Sequence, residues 1–226
     1  MIKLIFFCRR HAEITHERYA ELLLSRHVPR VLRHHSRLRK YVVNLVELSP
    51  PGEAVLDSID ELSFDSRDDF REYLYDSLPA EAPEAGRLIA ATHAYATTEH
   101  VHKAKLAETT LGERSPGVKL ICPVMRRADM SHAEFAGHWL NRHVPLALRH
   151  HPALSCYITN VVDEQLSPTG EAWDGIAELH FAKPEDLWQG FFDSQAGEQI
   201  IRQDIERFIG RGGAYRVAEY VEKRPA

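Results

Sequence analysis

Apolar positions along the chain change their period several times, and the changes come twice in the same order. Short β-prone runs at Lys3–Cys8 and Lys119–Val124 open each half. Each is followed by apolar residues at helical spacing: Tyr19, Leu23 and His27 in the first half, Phe135, Trp139 and His143 in the second. Their i, i+4, i+8 spacing lays each set along one helix face. These helices start at Thr15 and Ser131, and Ser131 with Glu134 makes a capping box. Pro29 and Pro145 are expected to end or kink them, placing the doublets His34-His35 and His150-His151 in a polar turn. Strands are predicted at Tyr41–Leu48 and Tyr157–Val162, then at Ile59–Phe64 and Ile176–Phe181 after a Pro/Gly loop. Asp68–Ser77 and Pro184–Ser194 read as helical, and Ile200, Ile201, Ile205, Phe208 and Ile209 mark a further amphipathic stretch. Ala94–Val101 and Ala214–Val221 are the last strands.

The recurrence extends to residue identity. With a shift of 116, Lys3–Val46 lies on Lys119–Val162 without a gap, and 20 of the 44 pairs are identical. Arg26-His27-Val28-Pro29 and Leu32-Arg33-His34-His35 recur as Arg142-His143-Val144-Pro145 and Leu148-Arg149-His150-His151, followed by matching Tyr41/Tyr157 and Asn44/Asn160. The chain is therefore a tandem duplication. Its expected organisation is a module over 1–102, a polar linker over 103–117 that ends in Ser115-Pro116-Gly117, and a second module over 118–226. Each module reads as βαββαβ, a ferredoxin-like α+β unit with helices on one face of a four-stranded sheet. The bare faces need cover, so the modules are expected to pack sheet to sheet within one chain.

Composition narrows the class. Hydrophobic residues make up 44 % and charged residues 27 %, as in an ordered globular protein. A formal net charge of -5 and the absence of a basic run argue against nucleic acid or anionic membrane as partner. The first apolar run, Leu4 to Cys8, is too short for an export signal or a membrane span, so a cytoplasmic location is expected. Cys8, Cys122 and Cys156 are odd in number and lack CxxC spacing, and they read as reduced packing residues.

Candidate chemistry gathers around the repeated histidine. His27 and His143 each end an apolar stripe and so turn inward, either as buried structural imidazoles or as bases at the lip of a pocket. An imidazole takes a proton near neutrality. Tyr41 or Tyr157 would donate to the resulting oxyanion, and Asn44 or Asn160 would polarise a carbonyl. Glu61 and Glu178 lie mid-strand, where a carboxylate orients an imidazole, acts as a base, or pairs with Arg10 or Arg126. The second copy replaces Leu22 and Leu23 by His138 and Trp139 and carries Trp173 near Val55 and Leu56. Its pocket is thus the better expected site, with stacking walls and with Gly175, opposite Ser58, allowing a ligand close to the strand. No carboxylate stands at metal-ligand spacing to the doublets.

The block His-Val-Pro, Leu-Arg-His-His, then Leu, Tyr and Asn, followed by Asp174-Gly175-Ile176-Ala177-Glu178-Leu179, resembles the EthD family of dimeric α+β barrel proteins. Copy two is the closer match; copy one departs at Ser58, Arg30 and Arg37. The resemblance implies a ferredoxin-like barrel, a pocket between helices and sheet, and chemistry without a cofactor. A histidine and a tyrosine at matching places are implicated in the resembled isomerases. The expected function is a cofactor-independent lyase or isomerase acting on a hydrophobic, aromatic or polyketide-like carbonyl compound, in a monomeric pseudo-dimer or a further homodimer. Two alternatives stand beside it: a non-catalytic small-molecule-binding or accessory protein, and a haem- or metal-dependent oxidoreductase with His143 as a ligand.

Overall fold

The computed structural model describes residues 1–70, 88–105 and 109–225. Its strands are β1 (Ile2–Arg10), β2 (Lys40–Leu48), β3 (Ser58–Phe64), β4 (Ile89–Lys103), β5 (Val118–Arg126), β6 (Leu154–Gln165), β7 (Gly175–Phe181), β8 (Ile209–Gly212) and β9 (Tyr215–Lys223). The strand order β7-β6-β4-β1-β3-β2-β9-β5, with β5 pairing back onto β7, closes an eight-strand antiparallel barrel; β8 adds to β5. Each half supplies four consecutive barrel strands, in the equivalent orders β4-β1-β3-β2 and β9-β5-β7-β6. The sheet-to-sheet packing expected of the two halves takes the form of one closed barrel. The halves also join edge to edge, β2 to β9 and β4 to β6. Edge strands carry unpaired N–H and C=O groups, and closure gives each edge a partner strand.

Alternation along the strands sorts side chains into an interior and an outer face. Ile5, Phe7, Ile59, Tyr95, Ile121, Val162, Ile176 and Val217 fill part of the interior. The outer face of each half packs against its helices, around Tyr19, Leu23 and Tyr41 in the first half and around Phe135, Trp139 and Tyr157 in the second.

Neither proline ends its helix. α1 (His16–Leu22) passes through one π turn, Leu23–His27, into α2 (Val28–His34); α3 (His132–His138) passes through Trp139–His143 into α4 (Val144–His150). Proline lacks an N–H and its ring clashes with the carbonyl four residues back. The extra residue in the wide turn relieves both problems: Val28 N–H reaches the Leu23 carbonyl and Val144 N–H the Trp139 carbonyl. The histidine doublets consequently sit at the C-terminal ends of α2 and α4, and His150 and His151 are buried.

Segment 184–194 also departs from expectation. It forms a single 3₁₀ turn (Pro184–Leu187) and then irregular chain, and the long amphipathic helix is α5 (Gln195–Phe208). Most of the helix expected at Asp68–Ser77 lies outside the described residues. Among those described, no helix is long and apolar enough to cross a membrane.

Candidate functional site

A cavity of about 810 Å³ lies between the outer face of the second half's sheet, α4, α5 and the irregular segment. Its walls are mostly apolar, with Val124, Ala177, Leu179, Phe191, Phe192 and Ile201 among them. Trp139, His143 and Tyr157, singled out from the sequence, line it together with His151.

His143 is buried, and its Nδ1 lies 3.0 Å from Oδ2 of Asp204 on α5. A carboxylate accepts only, so Nδ1 carries the proton and Nε2 holds the lone pair. Asp204 is 1 % exposed and also takes His138 Nε2 at 3.1 Å and Arg142 Nε at 3.2 Å. Burial lowers the proton affinity of His143, and Asp204 opposes that effect without cancelling it. The imidazole is therefore neutral near pH 7, with an acidic partner placed to stabilise the imidazolium. Sequence reasoning missed Asp204. Its signal was a carboxylate on the apolar stripe Ile201, Ile205, Phe208 of an amphipathic helix.

The Tyr157 hydroxyl lies beside the Trp139 indole, and burial suppresses its acidity. The phenol keeps its own proton and can give it to an oxyanion in the cavity. Cys122 also lines the cavity, and burial pushes its thiol up to about 12, so it stays protonated.

Other residues expected at this site stand elsewhere. Asn44 and Asn160 are three positions from Tyr41 and Tyr157, and an odd spacing on a strand points the two side chains to opposite faces. Both asparagines lie inside the barrel. Asn160 donates to the Ile176 carbonyl (3.0 Å) and Glu178 (2.9 Å), and Asn44 to the Ile59 carbonyl (2.7 Å) and Glu61 (2.9 Å). Glu61 and Glu178 pair there with Lys3 and Lys119 at 2.5–2.8 Å, not with Arg10 or Arg126. Glu99 and Glu219 complete a duplicated network. Burial alone would neutralise these groups; the surrounding charges of opposite sign hold Lys3 above the ordinary range for its type and Glu178 well below its own.

Trp173 fills the barrel interior, with the Arg211 guanidinium 5.4 Å from its ring centre, and does not wall the cavity. His138 binds Asp204 and stacks on Phe208 at 4.7 Å. Gly175 makes no room for a ligand: a Cβ there would meet the Trp139 ring at 2.0 Å. The first copy fills the same space with Leu23, Ser58 and Tyr19, whose hydroxyl bonds Ser58 at 2.8 Å.

In that first copy Tyr41 is buried in the core, and burial pushes His27 down to about 4. Residues that correspond in sequence to α5 fall largely within 71–87, outside the described residues. Among the described residues no carboxylate bonds to His27, and no group of three or more His, Cys, Asp or Glu side chains could hold a metal ion.

Comparison with known proteins agrees with this architecture. The EthD domain family matches residues 127–212, which include His143, Tyr157 and Asp204. No curated protein matches the sequence. An anthrone oxidase-like protein superposes with a TM-score of 0.61 at 11 % identity, covering 98 % of this chain and 92 % of the other. A candidate monooxygenase from Lactobacillus acidophilus NCFM gives 0.56 at 9 % identity, covering 98 % and 96 %. A mutant chlorite dismutase from Candidatus Nitrospira defluvii gives 0.54 at 11 % identity, covering 96 % and 90 %. At such identities these likenesses establish a shared α+β barrel fold and no shared reaction.

Proposed function

We propose that the chain, whose residues 127–212 match the EthD domain family, is an enzyme of proton transfer on carbon, acting on an apolar ring compound with a carbonyl group. Residues 1–102 and 118–226 are its two ferredoxin-like modules, and the reaction belongs to the second. The observation that carries the reading is the His143–Asp204 pair on the wall of an apolar cavity. His143 Nε2 takes a proton from a carbon made acidic by conjugation with the carbonyl; Asp204 stabilises the imidazolium; Tyr157 donates to the enolate oxygen. Return of the proton to another carbon completes an isomerisation, and loss of a leaving group from the enolate completes a lyase reaction. Asn44, Asn160, Glu61 and Glu178 hold the barrel and take no part.

Anthrone, a flat tricyclic ketone with an acidic methylene, tests this. Solvent deuterium entering that methylene is followed by NMR, alongside oxygen consumption. The wild type is expected to accelerate exchange. His143→Ala should lose about 10²–10⁴-fold, the usual range for a general base, while His27→Ala should lose little. Equal losses from the two variants, or no acceleration of this or related cyclic ketones, would overturn the assignment. Oxygen uptake in step with exchange would instead make the product an oxidised one and favour an oxidase.

A further inference from the structure

A second imidazole in the cavity, unused by that chemistry, bears on the substrate. His151 caps α4 and is buried, with its ring 4.6 Å from Phe191 and 4.9 Å from Phe192. Its Nδ1 lies 2.6 Å from the Phe191 carbonyl oxygen. A carbonyl can only accept, so Nδ1 carries the proton and Nε2 carries the lone pair. Burial lowers the proton affinity of His151, so this tautomer stays uncharged at neutral pH. The same argument fixes His143 through Asp204. Both rings line the cavity, and among the described residues neither Nε2 bonds to protein or is sealed from solvent-accessible space. At the rim, the guanidinium of Arg202 is taken up by Glu198 at 2.7–2.8 Å.

An apolar cavity with two fixed acceptors and a neutralised rim cation selects against anions and favours donors. We infer that the substrate is a hydroxylated aromatic ring system that offers its reacting C–H to His143 and a hydroxyl group to His151, with His151 a specificity-determining residue; a non-reacting diol fills both acceptors with hydroxyls. A ligand without the second hydroxyl leaves a desolvated acceptor unpaired, and such a loss outweighs the net gain of an ordinary hydrogen bond. Phe191 and Phe192, set at 87° to each other with centroids 4.8 Å apart, give the ring frame one face to stack on and one edge to meet. This inference rests on the cavity being the substrate site, as proposed above, but not on the reaction carried out there.

The test is binding, which needs no turnover. Naphthalene-1,3-diol, its monomethyl ether and its dimethyl ether have nearly the same shape and offer two, one and no donors. Their affinities for the intact protein are measured by calorimetry, with 1-naphthoate as an anionic comparison. The expected order falls about tenfold at each lost hydroxyl, with naphthoate weakest. His151→Phe is expected to remove one of the two steps and to bind the dimethyl ether at least as tightly as the wild type does, because no acceptor is then left unpaired, an outcome that a collapsed cavity would not give. If the variant does not fold, the three wild-type affinities still decide between two acceptors and one. A diol bound no more tightly than its monomethyl ether, a preference unchanged in His151→Phe, or no binding of any probe would each overturn the inference. Failure of His143→Ala to slow exchange, with the two-step preference intact, would count against the proposed reaction alone.

Discussion

Replacing Asp204 tests the structural logic of the site before any substrate is known. Its carboxylate takes hydrogen bonds from His138 Nε2 and His143 Nδ1 at 3.1 and 3.0 Å and is itself 1 % exposed. Arg142, whose side chain is 57 % exposed, can return to water and adds little. In Asp204→Ala two largely buried donors lose their partner, and each unsatisfied group costs about 1–3 kcal/mol. A total of about 2–6 kcal/mol follows, and for a chain of this length each kcal/mol lowers Tm by roughly 2–4 °C. Asp204→Asn keeps the volume but offers one acceptor oxygen where the carboxylate had two, and adds N–H donors. One of His138 and His143 must then turn a lone pair toward it. Nitrogen-15 NMR of the histidine rings near pH 8 reads this directly: the wild type should show His143 protonated at Nδ1 only, and Asp204→Asn a changed tautomer balance. Deuterium exchange into anthrone should fall about 10²–10⁴-fold in both variants. An unchanged tautomer pattern in Asp204→Asn together with an unchanged Tm in Asp204→Ala would refute the pairing and the role built on it.

Two further outcomes concern stability. Gly175→Ala drives a methyl into the Trp139 ring and should cost about 1–3 kcal/mol, the usual range for overpacking; adding Trp139→Leu, the first copy's residue at that place, should recover most of the loss in a urea titration. Asp60 is buried, its Oδ1 has no hydrogen bond among the described residues, and burial pushes its carboxyl up to about 7. The unfolded chain gives up this proton near pH 4 while the fold keeps it, so the group's contribution falls as pH rises from about 4 to 7. Asp60→Asn removes that penalty and should gain roughly 2–4 kcal/mol on the wild type between pH 4 and pH 8; a difference independent of pH would refute the assignment.

The sequence by itself determined the duplication, the strands that each half contributes along the chain and the inward face of the first helices, because these rest on identity and period alone. It also carried information read incorrectly. Tyr157 and Asn160 are three apart on a strand, and that odd spacing already separates a cavity residue from a barrel residue. The tandem prolines looked like helix ends because sequence shows the missing N–H but not the wide turn that accommodates it. Other features were decided only by tertiary structure. Glu61 finds Lys119 58 residues away and Glu178 finds Lys3 across 175, through a closure that pairs β2 with β9 and β4 with β6. Gly175 is explained by the Trp139 ring against it, and Trp173 by the barrel interior it fills. Asp204 meets His143 across 61 residues because α5 lies over the π turn. Periodicity fixes which face a side chain occupies, but the partner on that face depends on how separate elements pack, and packing is a property of the whole fold.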